Sequence, residues 1–512
     1  MLARLHSHAV LGMDAYPVAV ETDLGRGLPA FNIVGLPDAS VREAKERVRA
    51  GIINSEYEFP LRRITVNLAP ADVRKEGPLF DLPIALSLLA ASGQLDSGLL
   101  AEYGAVGELS LDGAVRRVSG VLSIAEGARR AGNRGLLVPK DNATEAALVK
   151  GIDVIGVASL RQATGFFMGT EPLAPATVDA GALLRTAGPK GPDLADVKGQ
   201  DRARRALEVC AAGGHNLLMV GPPGSGKTML AHRLPSILPP LTIDEAIEVT
   251  RIYSVAGLLN GGPPVIANRP FRSPHHTISH AGLVGGGASP RPGEVSLAHL
   301  GVLFLDELPE FSRQALESLR QPIEDGRVSI SRSLTSVTFP SRFMLVAGMN
   351  PCPCGYLGDP SRECACLPHK VISYRGRISG PMLDRIDVAV EVPALSKHEI
   401  MSDRGREDSA AVADRAAAAR LVQSRRLKGS GAYFNAQMSI SQTEKFCLLD
   451  GAAAALLESA IDRMGLSARA HHRILKVART IADLDSAEVI RPEHLAEAVS
   501  YRGIDRRSWH GQ

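Results

Sequence analysis

The sequence is poor in cysteine, tryptophan and aromatic residues, with 6 Cys, 1 Trp and 4% aromatics among 512 residues. Six cysteines in a chain of this length exclude a disulfide-built scaffold. No apolar run approaches the roughly 20 residues of a transmembrane helix, so no membrane contact is expected. The first residues lack the charged and then apolar pattern of a secretory signal, which predicts a cytoplasmic protein.

What remains is the composition of a globular protein, with 45% hydrophobic and 22% charged residues. This balance excludes a wholly disordered chain, and the length predicts about three domains at roughly 150 residues each. The formal net charge of +3 neither requires nor excludes a polyanionic partner. Evidence for such a partner therefore has to come from clusters of charged residues in particular segments.

Four segments differ in pattern along the chain. In residues 1–170 short β-patterned stretches alternate with helical ones, which predicts an α+β or α/β domain. Residues 171–193 are rich in Pro, Ala and Gly without apolar periodicity and are predicted to be a linker. Residues 194–395 again alternate strands with helices, and residues 396–512 show helical spacing throughout.

Local patterns predict individual elements. In the first segment, Ser40 with Glu43 three residues later is typical of a capping box, and an apolar stripe follows it. Asp81–Ala91 is predicted to be a buried helix. In the last segment, helical spacing covers Ala452–Met464 and His471–Asp483.

A phosphate-binding loop is the strongest motif. It follows the apolar stretch Leu217–Val220 and precedes a helical pattern, as the GxxxxGK[ST] motif requires. Glycines let backbone N–H groups turn inward toward a phosphate, the lysine reaches the β- and γ-phosphates, and the threonine hydroxyl binds Mg²⁺. The predicted ATP-binding residues are Gly221, Pro222, Pro223, Gly224, Ser225, Gly226, Lys227 and Thr228.

Two acidic residues follow a second apolar strand. Asp306 and Glu307 come directly after Val302–Leu305, about 80 residues downstream of the phosphate loop. In an open α/β sheet, ligands bind and functional residues lie at the carboxyl ends of the parallel strands. We expect Asp306 to hold Mg²⁺ through water and Glu307 to act as the base that polarises the attacking water.

A polar residue also follows a third predicted strand, Phe343–Ala347. Asn350 can orient the attacking water or contact the γ-phosphate from that position. The alternative interpretation is an asparagine that begins a loop before Pro351, and the residues alone leave both open.

Four of the six cysteines form two CxC pairs, Cys352 with Cys354 and Cys364 with Cys366. Four thiolates at this separation suit a structural Zn²⁺ site without an open position for catalysis. One-residue spacing is tighter than usual, so four reduced thiols in a loop remain the alternative.

Arginines mark two candidate DNA-binding segments. Between Gly261 and Gly293 there is no acidic residue, and Arg272 lies in this Gly-rich stretch. The second segment reads as a hairpin before the third strand, with Arg327 at its start and Arg332 near its tip. Arginines on such elements bind phosphates without sequence preference, whereas the alternative is that they pair with nearby acids.

With these motifs in place, the chain resembles the ComM/YifB family of magnesium-chelatase-like AAA+ ATPases over its whole length. The resemblance implies an α/β fold with three parts: an N-terminal Lon-protease-like α+β domain of the ribosomal-S5-domain-2 type, a central AAA+ P-loop domain and a C-terminal helical lid. It also implies that the Gly-rich stretch projects into a ring pore. Besides the phosphate loop, it is carried by Asp38–Arg42, Pro78–Pro83, Phe271–His276, Leu283–Gly287, Gly348–Gly355 and Ile378–Asp387.

The resemblance also assigns roles. Asn350 matches sensor 1, and Arg469 matches the sensor 2 arginine of the lid. Arg385 matches the arginine finger that reaches the γ-phosphate of the neighbouring subunit, although Arg375 and Arg377 lie close enough to be the true finger. A finger supplied in trans makes hydrolysis depend on assembly, so a homo-hexameric ring is implied.

The Lon-like resemblance does not extend to protease chemistry. A Ser–Lys protease needs a hydroxyl nucleophile and a lysine that deprotonates it. Leu79 stands at the nucleophile position after Pro78, and Leu122 stands about where the lysine would fall. We therefore expect a domain that keeps the fold for assembly or nucleic-acid contact.

Together these features predict a ring-forming ATPase that uses ATP and Mg²⁺ to move on DNA, single-stranded or branched. The family resemblance implies branch migration or helicase action on recombination intermediates during natural transformation. The alternative is a protein-remodelling motor like the magnesium chelatase subunit, acting on a protein partner.

Overall fold

A computed structural model describes residues 2–96, 98–186, 191–259, 261–287, 290–331, 336–359, 362–396, 399, 401, 407–464 and 466–502. The chain divides into two compact units. The first comprises Met1–Thr186, Ile243–Ile266 and Ser331–Phe339, and the second comprises Ala187–Thr242, Ala267–Ile330 and Pro340–Gln512.

A mixed seven-stranded sheet forms the centre of the first unit. Its strands, in spatial order, are Ala30–Val34, Arg63–Ala69, Asp14–Gly25, Leu2–Leu11, Tyr103–Ala105, Gly135–Pro139 and Asp153–Val157. The two long neighbours at its middle pair antiparallel with register Leu5 to Val20, and the last three strands are parallel. Glu108–Leu109 and Val115–Arg116 add a small antiparallel pair.

Helices pack on this sheet through buried aliphatic faces, as the apolar stripes predict. The α-helices of the unit are Ala39–Asn54, Asp81–Ala91, Val121–Arg130, Ala143–Ala146, Leu160–Phe167, Ala180–Thr186 and Ile243–Val255. Short 3₁₀ turns span Pro78–Phe80 and Lys140–Asn142. Every residue of Asp81–Ala91 is buried, which agrees with the helix predicted there.

The capping box predicted at Ser40 is wrong. Asp38 is the N-cap of helix Ala39–Asn54, and its Oδ1 accepts the backbone N–H of Val41 at 2.8 Å. Ser40 therefore lies inside the first turn, where its hydroxyl cannot serve as the cap. An aspartate at this position also suits the positive end of the helix dipole.

Two further segments of the first unit differ from the sequence-based expectations. The linker proposed for residues 171–193 contains the helix Ala180–Thr186. Helix Ile243–Val255, which the sequence placed in the ATPase domain, belongs to the first unit, where Arg251 Nε donates to Ser123 Oγ at 3.0 Å. Leu122, at the expected lysine position of the protease dyad, is buried in the core.

Five parallel strands form the sheet of the second unit. Their spatial order is Phe271–Arg272, Val302–Leu305, Met344–Met349, Leu217–Val220 and Val388–Glu391. The three central strands are buried along their length, as expected for a sheet covered on both faces. The third predicted strand begins one residue later than expected and extends to Met349.

Helices surround this sheet and continue into a helical C-terminal region. The α-helices are Asp201–Gly213, Lys227–Ile237, His280–Val284, Glu294–Leu297, Arg313–Ser318, Arg320–Asp325, Pro368–Arg375, Gly380–Leu383, Ser409–Arg426, Ile440–Phe446, Gly451–Met464, Ala468–Leu484 and Pro492–Ser500. The 3₁₀ turns are Leu194–Asp196, Leu308–Glu310 and Asn435–Gln437. Gly285–Gly286 pairs with Arg291–Pro292. Two further short strands of the chain are Arg327–Ser331 and Ser336–Pro340.

One hydrophobic core joins the sheet to the C-terminal helices of the second unit. Met219 and Val390 of the sheet and Leu475 and Leu495 of the helices belong to the same buried cluster. Among the described helices, none combines the length and the apolar character needed to cross a lipid bilayer.

Candidate nucleotide-binding site

The phosphate loop has the backbone geometry of an anion site. Gly224 and Gly226 adopt φ values of +76° and +95°, which residues with a side chain rarely adopt. Gly226 precedes helix Lys227–Ile237 without a side-chain cap, so the first N–H groups of the helix are available for an anion. A Cβ at Gly221 would lie 2.0 Å from the carbonyl oxygen of Val392, so only glycine fits there.

The ammonium group of Lys227 lies inside this loop. Its Nζ donates to the carbonyl oxygens of Gly221 at 2.7 Å and Pro222 at 2.9 Å, and to Asn350 Oδ1 at 3.3 Å. Burial lowers the pKa of Lys227, and the nearby carboxylates of Asp306 and Glu307 oppose that effect. The lysine is thus a desolvated cation beside the loop that would receive a triphosphate.

Thr228 and Asp306 present a pair of oxygens suited to Mg²⁺. Thr228 Oγ1 donates to Asp306 Oδ2 at 2.6 Å. Adjacent ligands of an octahedral Mg²⁺ lie roughly 3 Å apart, because each metal–oxygen bond is about 2.1 Å. A Cβ at Gly348 would lie 2.9 Å from Asp306 Oδ1, so the glycine on the neighbouring strand leaves room for this carboxylate. The donor set fits the cation.

Glu307 is more exposed than Asp306 and adopts a strained backbone conformation. Its φ is +53°, and its side chain retains 56% of its exposure. The backbone N–H of Glu307 donates to Asp306 Oδ1 at 2.9 Å, which couples the two acids. Glu307 Oε2 lies 3.4 Å from His276 Nδ1. The Glu307 carboxylate thus lies exposed at the carboxyl edge of the sheet, directly beside Asp306.

Asn350 lies directly after strand Met344–Met349, and its side-chain oxygen faces Lys227 Nζ. Its backbone N–H donates to the Tyr374 hydroxyl, and burial raises the pKa of Tyr374 to about 12. The contact between Asn350 Oδ1 and Lys227 Nζ is compatible with the first of the two interpretations that the sequence left open, a polar residue facing the phosphate loop.

Gln200 supports the phosphate loop and was missed by the sequence analysis. It adopts φ +58°, and its Nε2 donates to the carbonyl oxygens of Ser225 at 3.2 Å and Pro393 at 2.7 Å. These contacts join residues far apart in the sequence, so no local motif identifies Gln200.

The arginine assigned as the trans-acting finger is buried. Arg385 is 5% exposed, forms an ion pair with Glu324, and donates to the carbonyl oxygens of Pro381 at 2.5 Å and Arg320 at 3.2 Å.

The two alternatives differ from Arg385 in exposure. Arg375 Nε donates to Pro351 O at 3.1 Å and is partly buried. Arg377 retains 53% of its exposure and pairs with Glu310 at 2.8 Å, at the edge of a cleft of about 610 Å³. Of the three candidate arginines, Arg377 is the most accessible to another subunit.

On the helical region, Arg469 is exposed near the start of helix Ala468–Leu484. Four residues later, Arg473 Nη1 donates to Asp387 Oδ1 at 2.7 Å. Burial by itself would raise the pKa of Asp387, yet Arg473 and His215 hold this pKa well below its usual range. Arg473 therefore ties the helical region to the segment before strand Val388–Glu391, a role that the sequence analysis did not assign.

The four clustered cysteines converge, as the Zn²⁺ hypothesis requires. Their Sγ atoms all lie within 4.8 Å of one another, and Cys352 Sγ lies 3.4 Å from Cys354 Sγ and 3.6 Å from Cys364 Sγ. Tetrahedral Zn²⁺ with bonds of about 2.3 Å places its sulfur ligands about 3.8 Å apart. The residues fit the metal.

The loop that carries the four clustered cysteines, called the cysteine loop below, also contacts the phosphate loop. Gly355 has φ +87°, and a Cβ there would lie 2.5 Å from Pro223 Cδ. Only a residue without a side chain lets the two loops approach this closely, so the cysteine cluster and the nucleotide site share one packed surface.

The candidate DNA-binding arginines have different surroundings. Arg272 forms a two-pronged ion pair with Glu294, with Nε and Nη2 at 2.6 and 2.7 Å from the carboxylate oxygens. This is the pairing with a nearby acid that the sequence left as an alternative. Arg327 is exposed at the start of strand Arg327–Ser331. Arg332 lies outside the described residues.

Comparison with known proteins shows which family the chain belongs to. Family profiles described as "Magnesium chelatase, subunit ChlI", "Subunit ChlI of Mg-chelatase" and "Magnesium chelatase, subunit ChlI C-terminal" match residues 193–400, 20–142 and 406–502. "Uncharacterized protein YifB" of Salmonella typhimurium is 48% identical over 100% of this chain and 99% of its own length.

Two further relatives extend the comparison. "Competence protein ComM" of Haemophilus influenzae is 46% identical over 99% of this chain and 98% of its own length. "Magnesium-chelatase 67 kDa subunit" of Chlorobaculum parvum is 28% identical over 30% of this chain. The family resemblance inferred from the motifs is therefore confirmed, and the chain belongs to the YifB/ComM family of magnesium-chelatase ChlI-like AAA+ proteins.

Proposed function

We propose that this protein is an ATPase that binds ATP with Mg²⁺ and hydrolyses it at the phosphate loop. The observation that carries the proposal is the meeting of Lys227, Thr228, Asp306 and Asn350 within hydrogen-bond distance at the carboxyl ends of three parallel strands. Lys227 would neutralise charge on the transferred phosphoryl group, Thr228 and Asp306 would hold Mg²⁺, and Glu307 would accept the proton of the attacking water.

We further propose that hydrolysis occurs in a homo-hexameric ring and drives movement on single-stranded or branched DNA in the cytoplasm, as branch migration or helicase action. The name "Competence protein" of a full-length relative supports a role with incoming DNA. Arg327 and Arg332 of the hairpin are the proposed phosphate contacts. Arg272 is left out, because Glu294 already binds its guanidinium group.

In the ring, an arginine of one subunit would act on the nucleotide of its neighbour. Arg385 is the residue that matches the family's arginine-finger motif. Because it is buried and paired with Glu324, its side chain would have to rearrange before it could reach the nucleotide of a neighbouring subunit. Arg377 is more than half exposed and would have to leave only its ion pair with Glu310 and its hydrogen bond to Pro309 O. The exposed Arg469 would complete the site from the lid.

The cysteine cluster is proposed to be a structural Zn²⁺ site. Its sulfur separations approach those of a tetrahedral site, and four protein ligands leave no position for a substrate. The metal would hold the cysteine loop against Pro223 and so stabilise the phosphate loop.

Glu307→Gln is expected to lower kcat for ATP hydrolysis by about 10²- to 10⁴-fold, because it removes the proton acceptor. ATP affinity should stay within about threefold, since Lys227 and the loop are intact. Phosphate release and binding of a fluorescent ATP analogue measure the two quantities, and Lys227→Ala, which should lose binding, is the contrasting variant. Normal turnover in Glu307→Gln would show that the water is activated elsewhere.

Mixed rings test the trans arginine. A subunit with Arg385→Ala keeps its own phosphate loop, and a subunit with Lys227→Ala keeps its arginine, so a mixture should regain ATPase activity that neither variant has alone. The same mixture with Arg377→Ala shows which arginine acts across the interface. If neither mixture gains activity over its separate components, hydrolysis does not depend on an arginine from a neighbouring subunit.

DNA should stimulate the ATPase, and Arg327→Ala with Arg332→Ala should weaken DNA binding. Each lost phosphate contact is expected to reduce the slope of log K against log salt by about 1. Fluorescence anisotropy over a salt series measures the slope. The charge-matched control is Arg425→Ala with Arg463→Ala, two exposed arginines on helices Ser409–Arg426 and Gly451–Met464. Stimulation by casein and not by DNA would instead favour a protein-remodelling motor.

The purified protein is expected to contain about one equivalent of zinc by elemental analysis, and Cys352→Ser with Cys364→Ser should lose it. Because Gly355 packs on Pro223, the same variant should bind ATP more weakly. Cys447→Ala, which alters a cysteine outside the cluster, should retain the metal. Less than half an equivalent in the wild-type protein would leave four reduced thiols as the correct interpretation.

A further inference from the structure

In the described part of the chain, one basic side chain lies within 4.0 Å of the carboxylate of the proposed base Glu307, the imidazole of His276. The two side chains meet at 3.4 Å between Nδ1 and Oε2, slightly longer than a full hydrogen bond. His276 follows strand Phe271–Arg272, and Glu307 follows strand Val302–Leu305, which pairs with it in parallel. Two neighbouring strands thus deliver the pair to the same edge of the sheet.

Packing fixes the ring of His276 on two sides. The ring of His275 lies against it, with centroids 4.1 Å apart and planes at 33°, and the edge of Phe311 lies 6.4 Å away at 77°. His275 is itself held by Thr277, whose Oγ1 lies 2.9 Å from His275 Nδ1. The imidazole is therefore a restrained group, whereas the carboxylate it faces is more than half exposed.

We infer that His276 is a positioning residue that holds the Glu307 carboxylate through ring atom Nδ1 and so sets its orientation toward the attacking water. The inference rests on the proposed ATPase function. An exposed glutamate samples several rotamers, and a general base works only when it lies within hydrogen-bond reach of the proton it accepts. If Nδ1 of His276 donates to one oxygen of the Glu307 carboxylate, the other oxygen stays available to accept the proton of the attacking water.

Substitutions of His276 can distinguish a positioning role through Nδ1 from a role in packing alone. His276→Asn places an amide nitrogen near the position of Nδ1, whereas His276→Gln places its nitrogen near the position of Nε2, on the far side of the ring. His276→Phe keeps the ring and its packing on Phe311 and removes the donor. His280→Asn is the matched control, since His280 is exposed at the start of helix His280–Val284.

The experiment measures kcat, KM for ATP and affinity for a fluorescent ATP analogue in these variants. His276→Phe is expected to lower kcat by about 10- to 100-fold, the loss of one hydrogen bond to a charged group, with KM changed by less than about twofold. His276→Asn should recover most of kcat, and His276→Gln should recover less. The control variant should match the wild-type protein.

Wild-type turnover in every variant, or equal rescue by Asn and Gln, would overturn the inference. If His276→Phe does not fold, the comparison of Asn with Gln decides alone. Failure of the inference is distinct from failure of the proposed function: the wild-type protein would then still hydrolyse ATP, and Lys227→Ala would still abolish hydrolysis. Absence of turnover in the wild-type protein would instead reject the ATPase itself.

Discussion

The parallel register of three buried strands is the constraint on which the nucleotide site depends. Val220 pairs with Met349, and Leu305 pairs with Ala347, so the residues that follow these strands emerge at one edge of the sheet. Lysine, carboxylates and amide therefore meet, although Lys227 lies 123 residues before Asn350 and Thr228 lies 78 residues before Asp306. A one-residue slip of any strand would turn its buried side chains toward the opposite face, so the hydrophobic core enforces the register that the chemistry requires.

This arrangement gathers charge where water is partly excluded. A buried ammonium group is unfavourable unless it is hydrogen-bonded and faces opposite charge, and Lys227 has both kinds of partner. The carboxylates of Asp306 and Glu307 also affect how an anionic ligand could bind beside Lys227. Two carboxylates would repel a bound triphosphate, so a divalent cation held by Asp306 would be needed to offset that repulsion.

The features that could be predicted from the sequence are those specified by a short contiguous stretch of residues. The phosphate loop and the strand before Asp306 are contiguous patterns, and both were located to the residue. Gln200 and the pairing of Arg272 with Glu294 depend on contacts between distant segments, and periodicity carries no signal for these. The helix start at Asp38 was missed for a different reason: the prediction relied on the spacing of Ser40 to Glu43, whereas the carboxylate of Asp38 accepts the N–H of Val41 two residues earlier in the chain than a cap at Ser40.

The segment after strand Met344–Met349 shows how one stretch of chain serves several purposes. Asn350 contacts Lys227, Pro351 O accepts from Arg375, and Gly355 packs on Pro223 of the phosphate loop. Because these residues lie within six positions of one another, a displacement of the cysteine loop would move the amide and the loop surface together. A crosslink of four thiols at this point would restrict that displacement, so the cysteines would stabilise the geometry of catalysis without taking part in it.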